Sequence, residues 1–210
     1  YDGHISLGDV NNDGKLDLIQ VGRSESDEKI ARVYVNNGLS FNQSGYWQNN
    51  LTGLDDASLT LADINNDGYL DLGLTGEDSS SSKFIQIYIN NGSRFNHNTL
   101  WGENFTDISE SNIIFGDIDN DDDMDSVIMG CCDKLEIWKN NENVFSQKQV
   151  DIASGGLELR GVFAGSFAFG DYNNDGLIDL ATSGRETGLN RVYLNNITLE
   201  NNFSADGNSS

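Results

Sequence analysis

Four nine-residue segments of the chain place oxygen-bearing side chains at the same spacing. They read DVNNDGKLD, DINNDGYLD, DIDNDDDMD and DYNNDGLID, at residues 9–17, 63–71, 117–125 and 171–179. Successive copies begin 54 residues apart, and such a fixed period indicates an array of one structural unit. Carboxylate or amide oxygens stand at positions 1, 3, 5 and 9 of each copy, so that alternate side chains can converge on one hard cation.

Calcium is the cation that this donor set predicts, with about four ions in the chain, one in each loop. Calcium takes about six to eight oxygen ligands, whereas magnesium needs strict octahedral geometry and keeps several waters. The predicted ligands of each copy are four side chains and the backbone carbonyl of position 7. They are Asp9, Asn11, Asp13, Lys15 (carbonyl) and Asp17; Asp63, Asn65, Asp67, Tyr69 (carbonyl) and Asp71; Asp117, Asp119, Asp121, Asp123 (carbonyl) and Asp125; and Asp171, Asn173, Asp175, Leu177 (carbonyl) and Asp179.

The alternative interpretation is that each Asp/Asn/Gly cluster is simply a turn. Four copies in one register argue against it, because three or four carboxylates within nine residues would repel one another without a cation. In the third copy, Asp122 replaces the glycine at position 6 and Asp119 replaces an asparagine. We therefore expect this site to be strained or altered in geometry, and to attract a cation more strongly through its added charge.

The segments that follow each loop predict strands, which excludes an EF-hand. An EF-hand closes with a glutamate at position 12 and continues as a helix, whereas here short apolar runs such as LDLIQVG end in glycine. Further strands are expected at HISLGD before the first loop, at RVYVNNG, and near Phe41, Phe95 and Phe145. Four short strands per unit predict the blade of a β-propeller, with the recurring aromatic residues packed in its core.

The apolar strand ending in Gly-Asp or Ala-Asp, the DxNxDGxxDL loop, a glycine and then VYxNNG…F resemble the FG-GAP/VCBS repeat, the calcium-loop blade of integrin α-subunit β-propellers. The resemblance implies an all-β, β-propeller-like array of four calcium-loop blades of about 54 residues over residues 1–203, with the cation between the first two strands of each blade. A four-bladed ring is favoured, because an open array would expose two apolar sheet faces. Part of a larger propeller or an open array is the alternative, and residues 204–210 are expected to be a polar tail or linker.

Composition and sequons indicate the compartment and the partners. The chain carries 34 Asp+Glu against 12 Lys+Arg, a net charge of −22, which argues against binding to nucleic acid or to anionic membranes. No apolar run is long enough to insert into a membrane, and a start at Tyr1 without a signal-like segment predicts a portion of a longer protein. N-linked glycans and an extracellular or cell-surface location are expected from seven Asn-x-Ser/Thr sequons, at Asn42, Asn50, Asn91, Asn104, Asn196, Asn202 and Asn208.

Two adjacent cysteines, Cys131 and Cys132, stand where the other copies have a hairpin turn. They could close a strained vicinal disulfide or remain two thiols in a loop.

No catalytic motif is evident, so we expect no enzyme. The function predicted first is an extracellular calcium-stabilised glycoprotein module for cell-surface adhesion or structural assembly, with other protein chains as partners and self-assembly into a fibre as one outcome. The alternatives are a propeller that recognises protein or glycan, or an accessory domain of a larger secreted enzyme. Tyr46, Trp47 and Trp101 would be exposed in a ligand-binding propeller and buried in a structural module.

Overall fold

The structure is a computed structural model, and it describes residues 3–44, 47, 51–97, 105, 108, 110–131, 134–141, 144–149, 165–184, 191–195 and 203–205. The fold is all-β, as the sequence predicts. Sixteen strands lie in this part of the chain, in four antiparallel sheets of four strands each. The sheets form a propeller-like array of blades, one for each repeat of the sequence.

Each blade contains four consecutive strands. The first holds β1 to β4, at His4–Gly8, Asp17–Arg23, Lys29–Asn36 and Phe41–Gln43. The second holds β5 to β8, at Asp55–Ala62, Asp71–Glu77, Lys83–Asn90 and Phe95–His97. The third holds β9 to β12, at Asn112–Gly116, Asp125–Gly130, Lys134–Asn141 and Val144–Gln149. The fourth holds β13 to β16, at Ser166–Gly170, Asp179–Ser183, Arg191–Asn195 and Phe203–Ala205.

The strands of a blade follow one another as a simple meander, so that neighbours in sequence are neighbours in the sheet. The register is equivalent in the blades: Leu18 pairs with Tyr34 in the first and Leu72 with Tyr88 in the second. The second strand of the blade is the most buried element, and every residue of β10 is buried. Because β10 is covered on both faces, its apolar residues Val127, Ile128 and Met129 follow one another directly instead of alternating with polar ones.

The chain divides into two compact units, Tyr1–Ile113 and Ile114–Ser210. Each unit has a hydrophobic core between its own sheets. The core of the first unit includes Val10, Ile19, Val33, Leu59, Leu72 and Tyr88. The core of the second includes Ile118, Val127, Met129, Ile137, Leu180 and Tyr193. Val10 and Ile118 belong to the first and third of the predicted metal loops, so these two loops are anchored in the cores.

Two details differ from the sequence expectation. The last strand, β16, runs from Phe203 to Ala205, two residues beyond the boundary expected at residue 203. The recurring aromatic residues are not equally buried, because Phe41 is 48% exposed whereas Phe95 and Phe145 are almost fully buried. Within the described residues, no helix combines the length and the apolar character that a membrane crossing requires.

Candidate metal centres

Each predicted metal loop joins the first two strands of its blade. The loops follow β1, β5, β9 and β13, and position 9 of every loop is the first residue of the next strand. Position 2 is apolar and fully buried in three of them, at Val10, Ile64 and Ile118. Each of these loops is thus fixed to the sheet at both ends, while its middle residues lie near the surface.

The side chains of positions 1 and 3 converge on one backbone amide. In the second loop, the N–H of Asp67 donates to Asp63 Oδ1 at 3.0 Å and to Asn65 Oδ1 at 3.1 Å. The N–H of Gly68 donates to the second oxygen of Asp63 at 2.8 Å. The first and fourth loops repeat all three bonds. The fold therefore brings the predicted ligands of positions 1, 3 and 5 together.

Position 7, whose carbonyl is the predicted fifth ligand, is held by the carboxylate of position 5. In all four loops an oxygen of position 5 accepts the N–H of position 7, at 2.9–3.0 Å, from Lys15, Tyr69, Asp123 and Leu177. This bond places the backbone of position 7 beside the converging side chains. In the first loop, the Lys15 ammonium also forms an exposed ion pair with Asp13 at 3.0 Å.

The third loop holds the densest carboxylate cluster. Ligand oxygens of Asp117, Asp119 and Asp121 all lie within 4.8 Å of one another, close enough to hold a metal ion. One oxygen of Asp119 is buried and accepts no hydrogen bond, and the other accepts one from Lys139 Nζ at 2.7 Å. A buried oxygen without a donor, beside two further carboxylates, fits a cation ligand.

The backbone of the third loop is not altered by the missing glycine. Asp122 has φ of +71°, in the left-handed region that Gly14, Gly68 and Gly176 occupy at +84° to +88°. Its N–H donates to Asp117 at 3.1 Å, as the glycine N–H does in the other copies. The left-handed conformation costs a non-glycine residue more, so the strain expected at this position is local to Asp122.

The aspartates of position 9 stand apart from the exposed ligands. Asp17, Asp71, Asp125 and Asp179 are at most 1% exposed. Each accepts two backbone N–H groups, one from position 2 of its own loop and one from the end of the third strand, at 2.7–3.2 Å. Asp125 is not in the cluster of three carboxylates described above. Position 9 thus ties the loop to the blade with both of its oxygens.

Burial most strongly perturbs the ionisation of two of these aspartates, Asp71 and Asp125. It raises the pKa of Asp71 and of Asp125 to about 7, although the two backbone N–H donors of each oppose the rise. The other carboxylates of the same loop raise the pKa further, because like charges disfavour ionisation. A cation bound in the loop would favour the ionised form.

Sequence reasoning missed the role of an asparagine at or next to the end of the third strand, at Asn36, Asn90, Asn140 and Asn195. Its position in the Asn-Asn-Gly pattern indicates only a hairpin, and that turn is present, with Gly38 and Gly92 at φ of +89° and +80°. The same asparagine is also the strand-end donor to the aspartate of position 9. The signal in the sequence was its recurrence at one place in every repeat.

The remaining predicted residues are only partly within the described structure. Asn42 and Asn91 are exposed, as glycan attachment requires, whereas Asn50, Asn104, Asn196, Asn202 and Asn208 lie outside the described residues. Cys131 is half-buried and Cys132 is outside the described residues, so the vicinal disulfide stays a prediction. Trp47 is 7% exposed and packs edge-on against Phe95 at 5.5 Å, while Tyr46 and Trp101 are not described.

The four loops share a chemistry that suits one kind of ion. Their converging side chains offer only carboxylate and amide oxygens, with no histidine or cysteine, and such hard donors select calcium, magnesium or manganese over zinc or copper. The described histidines lie elsewhere: His4 accepts the N–H of Leu59 at 3.3 Å, and His97 packs on the ring of Tyr88.

The fold and these loops define an all-β blade array with one acidic loop, rich in side-chain oxygens, between the first two strands of each blade. Residues 9–74 match the model of the FG-GAP-like repeat, which confirms over those residues the resemblance seen in the sequence. A search of curated proteins gave no match.

Among solved structures, the chain is similar to a lectin of Agrocybe aegerita that specifically recognises non-reducing terminal N-acetylglucosamine. The TM-score is 0.64 at 22% identity, and the match covers 98% of this chain. This likeness shows the fold alone. The chain spans 52% of the length of that lectin.

Proposed function

We propose that the chain is a non-catalytic, calcium-stabilised module of an extracellular or cell-surface glycoprotein, which serves adhesion or structural assembly through contacts with other protein chains. The observation that carries the proposal is the geometry of the loops, in which oxygens of positions 1 and 3 meet over the amide of position 5 in three copies and three carboxylates meet in the other. Calcium bound there would neutralise carboxylates that otherwise repel one another.

The residues that would hold calcium are those predicted from the sequence, with position 9 in a different role from the rest. Positions 1, 3 and 5 and the carbonyl of position 7 form the outer part of the loop. The aspartate of position 9 keeps the loop attached to the second and third strands of the blade through its two buried hydrogen bonds. An ion bound in the loop would thus also stabilise the strands to which the loop is attached, which accords with a structural role.

The proposal is tested by thermal unfolding with and without calcium. A ligand that binds only the folded state stabilises it by about 2.7 kcal/mol when its concentration is 100 times the dissociation constant. We expect melting in 2 mM calcium to occur well above melting in EDTA, and magnesium to give a smaller shift at the same concentration. Identical melting in EDTA and in calcium would overturn the calcium proposal.

Assembly is tested separately, by light scattering of the glycosylated protein in the same two solutions. Calcium-dependent oligomers or fibres support a structural subunit. A monomer in both solutions contradicts self-assembly and leaves a module that binds a different partner. The burial of Trp47 against Phe95 accords with the structural role, because a ligand-binding aromatic residue would be exposed.

A second candidate function is glycan recognition, and two observations favour it. The chain shares its fold with a lectin. In addition, a cleft of about 670 Å³ lies between the hairpins of the first two blades and is lined by groups that include Arg23, Lys29, Glu77 and Ser79. Such a mixture of hydrogen-bond donors and acceptors suits the hydroxyl groups of a sugar.

Binding to an array of glycans, followed by calorimetry with any sugar that binds, tests this second function. Ser79→Tyr would fill the mouth of the cleft, whereas Ser40→Tyr places the same side chain on a different exposed turn. We expect the first variant alone to lose binding. No binding by the wild type, or equal binding by both variants, would remove the cleft as a glycan site.

A further inference from the structure

A continuous path of buried hydrogen bonds joins the first two metal loops. Val10, at position 2 of the first loop, donates its N–H to Asp17 at 3.2 Å and accepts on its carbonyl the side-chain amide of Asn90 at 2.7 Å. Asn90 in turn donates its backbone N–H to Asp71, at position 9 of the second loop, at 2.7 Å. All four residues are completely buried.

The side chain of Asn90 makes further hydrogen bonds in addition to the one to Val10. Its side-chain amide also donates to the carbonyl of Leu70, at position 8 of the second loop, and its side-chain oxygen accepts the N–H of Gly92. A single side chain therefore touches the backbone of the first loop, the backbone of the second loop and the turn after its own strand. A second, exposed link runs nearby, from Asn12 Nδ2 to the carbonyl of Gly68 at 2.9 Å.

The second unit repeats the path with its own residues. The N–H of Ile118 donates to Asp125 at 3.1 Å, and the carbonyl of Ile118 accepts the side-chain amide of Asn195. The backbone N–H of Asn195 donates to Asp179 at 2.7 Å. In both units, the same series of hydrogen bonds thus connects position 9 of one loop to position 9 of the next. The residues of the two paths differ, but they occupy the same positions of their repeats.

We propose that Asn90 and Asn195 are coupling residues, through which cation binding at one loop of a unit strengthens cation binding at the other. The inference rests on the proposed calcium binding and deepens it. An ion in the first loop would hold Val10 in place, and Val10 then fixes the Asn90 side chain. Asn90 in turn holds Asp71 and the carbonyl of Leu70, so the second loop is already ordered when its own ion binds.

The coupling must act equally in both directions, because the effect of one site on the affinity of another is reciprocal at equilibrium. This requirement allows a test in which each loop is disabled in turn. Asp13→Asn and Asp67→Asn remove one exposed carboxylate from the first and the second loop respectively, at the same loop position. All proteins in this test also carry Asp121→Asn and Asp175→Asn, which disable the third and fourth loops in the same way. Calorimetric calcium titrations of the full chain then report the affinity of the one loop of the first unit that remains intact.

We expect Asp67→Asn to weaken calcium binding at the first loop about fivefold or more, and Asp13→Asn to weaken the second loop by the same factor. In an Asn90→Ala background these cross-effects should disappear. Asn36→Ala is the matched control. Like Asn90, Asn36 is hydrogen-bonded to positions 8 and 9 of its own loop, which are Leu16 and Asp17. Within the described residues, however, its side-chain amide has no partner in another blade. The cross-effects should persist in that control.

The outcomes separate this inference from the proposed function. A wild type that binds no calcium ends both. A wild type that binds calcium, but in which disabling one loop leaves the other unchanged, overturns the coupling alone. Cross-effects that survive in Asn90→Ala likewise overturn the role of Asn90.

If Asn90→Ala does not fold, hydrogen exchange of the wild type and of Asp67→Asn replaces it. Calcium should then protect the Val10 amide less in Asp67→Asn than in the wild type. Equal protection in the two proteins would contradict the path.

Discussion

Exchange of Asp71 for asparagine tests whether position 9 supports the blade independently of any ion. The side chain is fully buried, and its two oxygens accept the N–H groups of Asn90 at 2.7 Å and Ile64 at 3.0 Å. Asparagine has the same shape but only one acceptor oxygen, so its amide NH₂ would face one of the two N–H donors. One hydrogen bond is lost, and one buried N–H remains without an acceptor.

The size of the effect follows from these two losses. A hydrogen bond to a charged group contributes about 1.5–3 kcal/mol, and a buried group left unsatisfied costs about 1–3 kcal/mol. The two figures overlap. The raised pKa of Asp71 also means that its buried charge costs stability at pH 8 when no cation is bound, so removal of the charge offsets much of the loss. We expect Asp71→Asn to lower the free energy of unfolding by about 1 kcal/mol in EDTA at pH 8, which is a fall in melting temperature of roughly 4 °C.

Thermal unfolding followed by circular dichroism measures this effect, with Asp67→Asn as the control from the same loop. Asp67 is exposed, and surface substitutions usually change stability by about 0.5 kcal/mol or less. Asp67→Asn should therefore match the wild type in EDTA and fall below it only in calcium, whereas Asp71→Asn is destabilised in both solutions. Equal effects of the two substitutions in EDTA would refute the structural role assigned to position 9.

Three further predictions concern the third loop and an ion pair of the second blade. Asp122→Gly should raise the free energy of unfolding in EDTA by about 0.5–1 kcal/mol, because glycine adopts the left-handed conformation of this position without strain. Gly68→Asp should lower it by a similar amount. Denaturant unfolding in which Asp122→Gly is no more stable than the wild type would contradict the strain assigned to Asp122. Lys139→Leu should lower the free energy of unfolding by about 1 kcal/mol or less in EDTA, because it removes the partner of Asp119. Adding Asp119→Asn to this variant should restore the stability. A double variant that is no more stable than Lys139→Leu would contradict this pairing. The Lys83 and Lys29 ammonium groups hold the pKa of Glu77 at about 2 instead of 4.5, so the ionised Glu77 stabilises the fold above pH 4.5 and loses this effect as the pH falls toward 2. The difference in stability between the wild type and Glu77→Gln should therefore shrink over that range. A difference that does not depend on pH would exclude the ion pairs of Glu77 as its cause.

The sequence predicts the inside of a blade well, because each constraint there is local. The loop, its turn glycine and the apolar strand after it occupy consecutive residues, and their chemistry recurs with a period of 54 residues. The role of Lys139 was not foreseen, since its partner Asp119 is 20 residues away, in the loop between β9 and β10. The added charge of Asp119 is partly offset by Lys139, while the expectation that the third loop attracts a cation more strongly stays a prediction.

Contacts between blades explain what the repeat pattern does not predict. Phe41 and Phe95 hold the same place in successive repeats, yet one is 48% exposed and the other is fully buried, with Trp47 of the preceding repeat packed against it. Asn90 likewise differs from Asn36 because its amide reaches Val10, 80 residues earlier in the chain. A repeat determines what each residue does within its own blade, whereas a residue at a blade interface also depends on its neighbour. The coupling inferred for Asn90 arises at such an interface, so it should be lost when a blade is separated from its neighbour, even if the isolated loop still binds its ion.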